Sequence, residues 1–375
     1  MSRPLNILVL SNCAFDEYQG SGYVIVNTMR CLQANGHALE GYDNTTLPVL
    51  KWMRGRANRY RMAMGMAWFV LSKPKRVRQK DLIIFYGAEC FAAVWALKNL
   101  LKFQGKIILH SNGIEMQVDQ AMVQGIISEN RYQKFFQWNM HPLFRYAYQN
   151  VHLLLTVSAY NGGYAKKEMG LPSEKVAMLE PALHPLFFGM NQTTPSKKNM
   201  ITYCGGWLAI KGVRSISEGL PEILRQNPDY TLRLIGVGGS FNAAAHFPEE
   251  ILPRIEVFPY VRDRERLIGL FRESRFFIFP SLADSFGLVV AEALCCGCTV
   301  ITGSAGIGAD LKHREEAWVM AYPSGTALRE ALDYLLKNPI EANAWAVNGF
   351  KRVKNMNWGA YGQRLNLLVE GLCCN

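Results

Sequence analysis

No run in the chain reaches the ~18 consecutive apolar residues that a helix needs to cross a bilayer. The start, MSRPLNILVLSN, enters an apolar strand-like run at Leu5 to Leu10 without a small-residue cleavage site, so a signal peptide is not expected. Cysteine is present, but in an odd number, nine, scattered apart from Cys295, Cys296 and Cys298 and the terminal Cys373 and Cys374. A disulfide framework is therefore not expected, and a reduced cytoplasmic compartment fits. The Cys-Cys-Gly-Cys group crosses a helix end without tetrahedral-site spacing, which points to packed thiols and not to a metal. No nucleic-acid motif occurs, so nucleic acid is not expected as a partner. Acids are short relative to bases, 30 against 41, for a formal charge of +11. Most of the excess lies in residues 1–190, with 21 Lys and Arg against 12 Asp and Glu. That asymmetry points to an anionic partner for the first half.

What is present is a 375-residue chain, 49% hydrophobic and 19% charged, long enough for two sizeable cores. Its first half alternates strand and helix. Strands are expected at Leu5 to Leu10, Leu82 to Tyr86, Lys106 to His110 and Val151 to Val157, with helices over Tyr23 to Asn35 and Ala92 to Phe103. Gly20, Ser21 and Gly22 precede the first helix; they fit a turn where a ligand approaches the backbone, or a purely structural turn. The longer dinucleotide fingerprint is absent there. The strand ending at His110 runs into HSNGIE, placing His110, Asn112 and Glu115 at the strand's C-terminal end, where open α/β sheets bind ligands. Lys51 to Lys80 has basic residues flanking an apolar centre, Met62 to Leu71, with Trp52, Trp68 and Phe69 as interfacial aromatics. Contact with an anionic membrane surface is one expectation for this segment; a basic helix over a buried one is the other.

Phe188 to Asn199 is the clearest polar linker, and the pattern restarts after it. The expected division is an N-terminal Rossmann-like domain over 1–188, a second over 189–357, and a C-terminal helix over 358–375 packing back on the first. Within the second domain, Ser274 to Asp310 reads as strand, loop, helix, strand and loop. Free N–H groups near Phe286, Gly287, Leu288 and Val289 open a helix whose dipole favours an anion, with Asp284 just before it and Glu292 eight residues later.

Together these stretches resemble the retaining glycosyltransferases of the GT-B fold, especially family 4 (glycosyl transferases group 1). PSLADSFGLVVAEALCCGCTVITGSAGIGADL is similar to that family's signature of two glutamates with seven residues between them, a spacing that Asp284 and Glu292 have. GGWLAIKG, with Lys211, resembles its phosphate-binding loop, and TVSAYNGGYAKKEMGLPSEKVAMLEPALHPLFF the segment closing its first domain.

The resemblance implies two Rossmann-like domains facing each other across a cleft, and transfer of a sugar from a nucleotide-diphosphate donor to a glycan or lipid-linked acceptor. It implies retention of configuration, no metal or other cofactor, and a place in cell-surface polysaccharide or glycolipid synthesis; the cysteine usage and the basic Lys51 to Lys80 segment add the expectation of a cytoplasmic protein peripheral to the inner face of the membrane. Lys211, Gly206 and the amides of Gly287, Leu288 and Val289 would meet the diphosphate, Glu292 the ribose, and Asp284 the transferred sugar. Gly20 to Gly22, His110 and Asn112 would meet donor or acceptor from the first domain. The chain departs from the pattern in three places. Trp207 stands where the family has Arg, with Arg214 the nearest replacement cation; Asp284 and Ser285 replace Glu and Gly; and Asn112 takes the place of a histidine. Two alternatives remain open: a non-catalytic nucleotide-sugar-binding protein and a nucleotide-sugar epimerase.

Overall fold

The computed structural model describes residues 3–18, 20–48, 58–125, 131–189 and 197–373. The chain divides into two compact units: Met1–Asp119 with Ser128–Ala182 and Trp358–Asn375, and Gln120–Ile127 with Leu183–Asn357.

The first unit runs β1 (Asn6–Ser11), α1 (Gly20–Ala34), β2 (Ala38–Tyr42), α2 (Asn58–Ser72), α3 (Pro74–Arg78), β3 (Leu82–Tyr86), α4 (Phe91–Asn99) and β4 (Lys106–Ser111). It continues through the start of α5 (Glu115–Gly125, grouped with the second unit from Gln120 on), α6 (Arg131–Asn150), β5 (Leu153–Thr156), α7 (Ala159–Lys167) and β6 (Val176–Met178). The six strands form one sheet in the order β2-β1-β3-β4-β5-β6, with every pairing parallel. Such strands are buried on both faces, which is why they read as continuous apolar runs. Their period-two alternation supplies two separate cores. Leu8, Leu10, Ile83, Phe85, Ile107 and Leu109 pack under α2, α4 and α6. Ile7, Val9, Leu82, Ile84 and Ile108 face the other way, against α1 and the last helix of the chain.

The second unit runs α8 (Leu186–Gly189), β7 (Lys198–Cys204), α9 (Val213–Gln226), β8 (Thr231–Ile235), β9 (Ile255–Phe258), α10 (Arg264–Glu273), β10 (Ser274–Phe279), α11 (Leu288–Cys295), β11 (Thr299–Gly303), β12 (Trp318–Met320), α12 (Gly325–Lys337) and α13 (Pro339–Val353). Its parallel sheet has the order β12-β11-β10-β7-β8-β9. Counted from its own first strand this is 6-5-4-1-2-3, the doubly wound order, whose direction reverses between β7 and β10.

The last helix, α14 (Trp358–Cys373), belongs to the first unit, where it packs on α1. Tyr361, Leu365 and Val369 supply its buried face. Tyr361 also donates or accepts at Thr28 Oγ1 at 2.8 Å and meets His110 Nε2 at 3.2 Å.

One expectation needs correction. Phe69 is not an interfacial aromatic: it is 2% exposed and lies in the core with Met62, Met66 and Val70. Helix α2 turns that stripe inward because burying it yields roughly 1.5–3 kcal/mol per large side chain. Only Met64, Trp68 and Leu71 remain on its outer side. The basic residues of 51–57, the Trp52 of the same stretch, and most of the linker at 190–196 lie outside the described residues.

Candidate active site

In the second unit, the crevice at the switch point is built by two loops that lace together. The loop after β7 ends in a short turn, Ala209–Lys211, and the loop after β10 spans Pro280 to Gly287. Leu282 N donates to Ile210 O at 2.9 Å, and Ser281 Oγ donates to the same oxygen at 3.2 Å. Gly212 makes this approach sterically possible. It sits at φ +71°, and a Cβ there would lie 1.7 Å from Pro280 O. The lacing puts Lys211 Nζ 2.6 Å from Asp284 Oδ2 and 5.4 Å from the centre of the Phe279 ring.

Helix α11 opens beside this pair. Its N-cap is Gly287 at φ +84°, which offers no side-chain cap to the first amides of the helix, those of Leu288 and Val289. Phe286 is buried, and its carbonyl accepts from Ile307 N at 2.6 Å, tying the loop after β11 to the same place. Ser285 is half-buried. A cation, a carboxylate and a helix N-terminus thus converge, an arrangement that can hold a phosphate and accept from hydroxyls next to it.

Glu292 lies on the inward side of α11, 8% exposed. Burial raises its pKa to about 7, opposed by the charge of Arg264. A carboxyl left this far from water is a strong acceptor for hydroxyl donors brought to it.

Trp207 and Arg214 are placed apart from each other's chemistry. Trp207 packs in an aromatic group with Phe241 at 4.8 Å, His246 at 5.2 Å, Tyr203 at 5.9 Å and Phe247 at 6.1 Å between ring centres. Arg214 lies on the outer side of α9, largely exposed and paired with Glu218 at 2.6 Å. Gly206, next to Trp207, is exposed, and its carbonyl accepts from Tyr203 Oη at 2.8 Å. Phe241, His246 and Phe247 were not legible as partners of Trp207, since the short turns carrying them have no periodic pattern.

In the first unit, Gly20, Ser21 and Gly22 form the first turn of α1. A Cβ on Gly22 would lie 2.4 Å from Asp16 O and 2.7 Å from Ala14 O, so close packing of the preceding loop requires glycine. His110 is 0% exposed, with its ring stacked on Tyr86 at 4.8 Å and its Nε2 on Tyr361. Burial pushes its pKa down to about 4, so the ring is neutral at pH 7. It shares a sheet face with Ile108, two residues earlier, and so turns toward α14. Asn112 lies past the strand's end and is half-buried.

At the ends of β1, β3 and β4, sequence reading named Glu115 but passed over the residues grouped near it, Asn12, Glu89 and Tyr148. Asn12 Nδ2 donates to Glu89 Oε2 at 2.8 Å, and Tyr148 Oη donates to Glu115 Oε2 at 2.5 Å. Burial, then the neighbouring charge of Glu115, raises Glu89 to a pKa of about 7. The signal that could have located Glu89 was its position just after a strand next to the β1–β3 reversal of sheet order.

The fold is GT-B: two parallel six-stranded α/β sheets, as in solved structures similar over almost the whole chain. Sucrose-phosphate synthase from Thermosynechococcus elongatus superposes with a TM-score of 0.76 at 16% identity, covering 98% of this chain and 99% of that one. The UDP-glucose complex of Anabaena HepE gives 0.67 at 12% identity, covering 98% and 100%. Residues 190–352 match the family described as glycosyl transferases group 1. Among curated proteins, a D-inositol 3-phosphate glycosyltransferase of Rhodococcus jostii (strain RHA1) is 24% identical over 172 residues, 43% of this chain and 38% of that protein. A GDP-mannose-dependent monoacylated alpha-(1-6)-phosphatidylinositol monomannoside mannosyltransferase of Corynebacterium glutamicum is 22% identical over 191 residues, 48% of this chain and 49% of that protein. The chain therefore matches less than half the length of these relatives.

Proposed function

We propose that this protein is a retaining, metal-independent glycosyltransferase of family 4. It moves a sugar from a nucleotide-diphosphate donor to a glycan or lipid-linked acceptor, in glycolipid or cell-surface polysaccharide synthesis. The observation that carries this reading is the Lys211–Asp284 pair beside the N-terminus of α11 at the sheet's switch point. The group 1 match over 190–352 and the nucleotide-sugar complex of a structural neighbour support it.

In this reading the leaving diphosphate gains negative charge as the glycosidic bond breaks. Lys211 and the amides of Gly287, Leu288 and Val289 stabilise that charge. Glu292 accepts from the ribose hydroxyls and Asp284 from those of the transferred sugar. The leaving phosphate takes the acceptor's proton on the face it departs from, so no protein nucleophile is required. Of the two strand-end groups of the first unit, Asn112 meets substrate, and His110 supports it from the core. The chain works on the cytoplasmic side of a membrane, with its basic 51–80 segment toward an anionic surface.

A panel of nucleotide sugars, assayed for transfer and for donor hydrolysis, tests this function. Turnover that survives both Lys211→Ala and Glu292→Ala rejects the site. Trp207 packs among aromatic rings and adds no second cation on the phosphates, which favours a non-catalytic nucleotide-sugar-binding protein as the second reading. Nucleotide binding in calorimetry without transfer to any acceptor would establish it, while conversion of the donor alone would indicate an epimerase.

A further inference from the structure

The chain has seven histidines. Four of them have their imidazole form set by a backbone amide. Leu5 N donates to His37 Nδ1 at 3.2 Å, and Ile107 N to His152 Nδ1 at 3.0 Å. Leu186 N donates to His184 Nδ1 at 3.3 Å, and Val319 N to His313 Nδ1 at 3.1 Å. A nitrogen that accepts carries no proton, so each of these rings, when neutral, is protonated at Nε2. His110 is held differently. It is fully buried, and its Nδ1 has no hydrogen-bond partner among the described residues. Its hydrogen bond is made by Nε2, to Tyr361 Oη at 3.2 Å.

The direction of that bond follows from counting hydroxyl protons. Thr28 Oγ1 lies 2.7 Å from Val24 O and 2.8 Å from Tyr361 Oη. A carbonyl oxygen can only accept, so the single hydroxyl proton of Thr28 goes to Val24. Tyr361 then donates to Thr28, which leaves its oxygen as an acceptor toward His110. Burial keeps the His110 ring neutral at pH 7, with one proton to place. Nε2–H is the form that satisfies all three contacts, and it leaves Nδ1 bare. The donations therefore run one way, from His110 on β4 to Tyr361 on α14 and on to Thr28 and Val24 on α1. One turn earlier on α14, Trp358 Nε1 donates to Tyr23 Oη at 2.8 Å, beside Gly22, so α14 grips α1 at two points.

We propose that Tyr361 holds His110 as its Nε2–H tautomer through this one-way relay, and that His110 in that form is a positioning residue for the strand end that carries Asn112. Stacked on Tyr86 and bonded at its tip, the ring fixes the last residues of β4 between β3 and β5. Thr28 governs the imidazole through the intervening hydroxyl of Tyr361, although the two residues belong to α1 and β4. The part given to Asn112 rests on the proposed function. The tautomer is read without substrate, so the two readings can fail separately.

The test is a long-range proton–nitrogen correlation spectrum of the full chain at pH 7, with its histidines labelled by nitrogen-15. His110→Gln assigns the His110 signals by their loss, and the parent is expected to show Nε2–H. Thr28→Val keeps the shape and removes the hydroxyl. Tyr361 then turns its proton to Nε2, and His110 should shift toward Nδ1–H. Thr28→Ser keeps a hydroxyl and should keep the parent form. Tyr361→Phe removes the bias, should populate both forms, and keeps the test decisive should Thr28→Val fold poorly. His37, whose form is set by Leu5 N, should stay unchanged in every variant, which separates the relay from a general loosening of the fold. Hydrogen exchange over 110–113, followed by mass spectrometry, should rise about fivefold to tenfold in Thr28→Val and return to the parent rate in Thr28→Ser. Nδ1–H in the parent, an unchanged tautomer in both Thr28→Val and Tyr361→Phe, a change in His37 alongside His110, or exchange over 110–113 that does not respond overturns the proposal.

Discussion

Lys211 Nζ and Asp284 Oδ2 lie 2.6 Å apart although 73 residues separate them. Their meeting is a consequence of strand order: β7 and β10 are neighbours, and their loops leave the same edge of the sheet. If both groups act on the donor, Lys211→Ala and Asp284→Asn should each reduce transfer by about a hundredfold or more. The double variant should lose less than the product of the single losses, because either change already breaks the pair. Steady-state kinetics on the preferred donor measures this, and multiplicative losses would show that the two act independently.

Glu292 links the site to stability. Its folded pKa of about 7 lies above its ordinary 4.5. Between these values the folded chain holds a proton that the unfolded chain has released, so stability falls as pH rises from 4.5 toward 7. Glu292→Gln removes that dependence and should be more stable than the parent at pH 8, by on the order of 2 kcal/mol. Urea unfolding at pH 5 and pH 8 decides it; parallel pH slopes for the two proteins exclude the linkage.

Two glycines with nearly equal backbone angles separate strain from collision. Gly212 has φ +71° and Pro280 O in the way of any Cβ, whereas Gly297 has φ +70° and nothing within 4 Å. Gly297→Ala should cost about 1 kcal/mol, the price of the left-handed conformation alone. Gly212→Ala should cost several kcal/mol more or displace the Lys211 loop, with transfer falling in parallel. Similar unfolding free energies for the two variants would falsify the collision.

Tyr361 ties α14 to the sheet through Thr28 and His110. Tyr361→Phe keeps the ring and removes the hydroxyl, so it should destabilise the chain by about 1–2 kcal/mol. Nucleotide-sugar binding, attributed to the other unit, should be unchanged in calorimetry. A matching loss of donor affinity would place this hydroxyl in the site instead.

Much of the architecture was legible because parallel strands announce themselves. Leu82 to Tyr86 and Thr299 to Thr302 are short apolar runs bounded by breakers, and the structure makes them β3 and most of β11. Asp263 is a side-chain N-cap of the kind that opens a helix, and the structure starts α10 after it, with its carboxylate accepting from Glu265 N and Arg266 N. Helix α6 escaped notice because polar residues and Pro142 interrupt its apolar stripe of Met140, Phe144 and Ala147. Strand β6 has three residues, too few for any period to register. In the site, Lys211 and Asp284 were named separately, and their distance was not readable. His110 was named at a strand end without its direction, which depends on which sheet face α14 covers.

The sequence by itself determined where strands and helices alternate, which loops are rich in glycine, and which residues at strand ends can carry charge or hydrogen bonds. Those properties are local: burial period, backbone permissiveness and side-chain chemistry act over a few residues. Tertiary structure alone decided that Lys211 meets Asp284 and that His110 turns inward to Tyr361. Each depends on strand order and helix packing, which join residues far apart in the chain and leave no periodic trace in it.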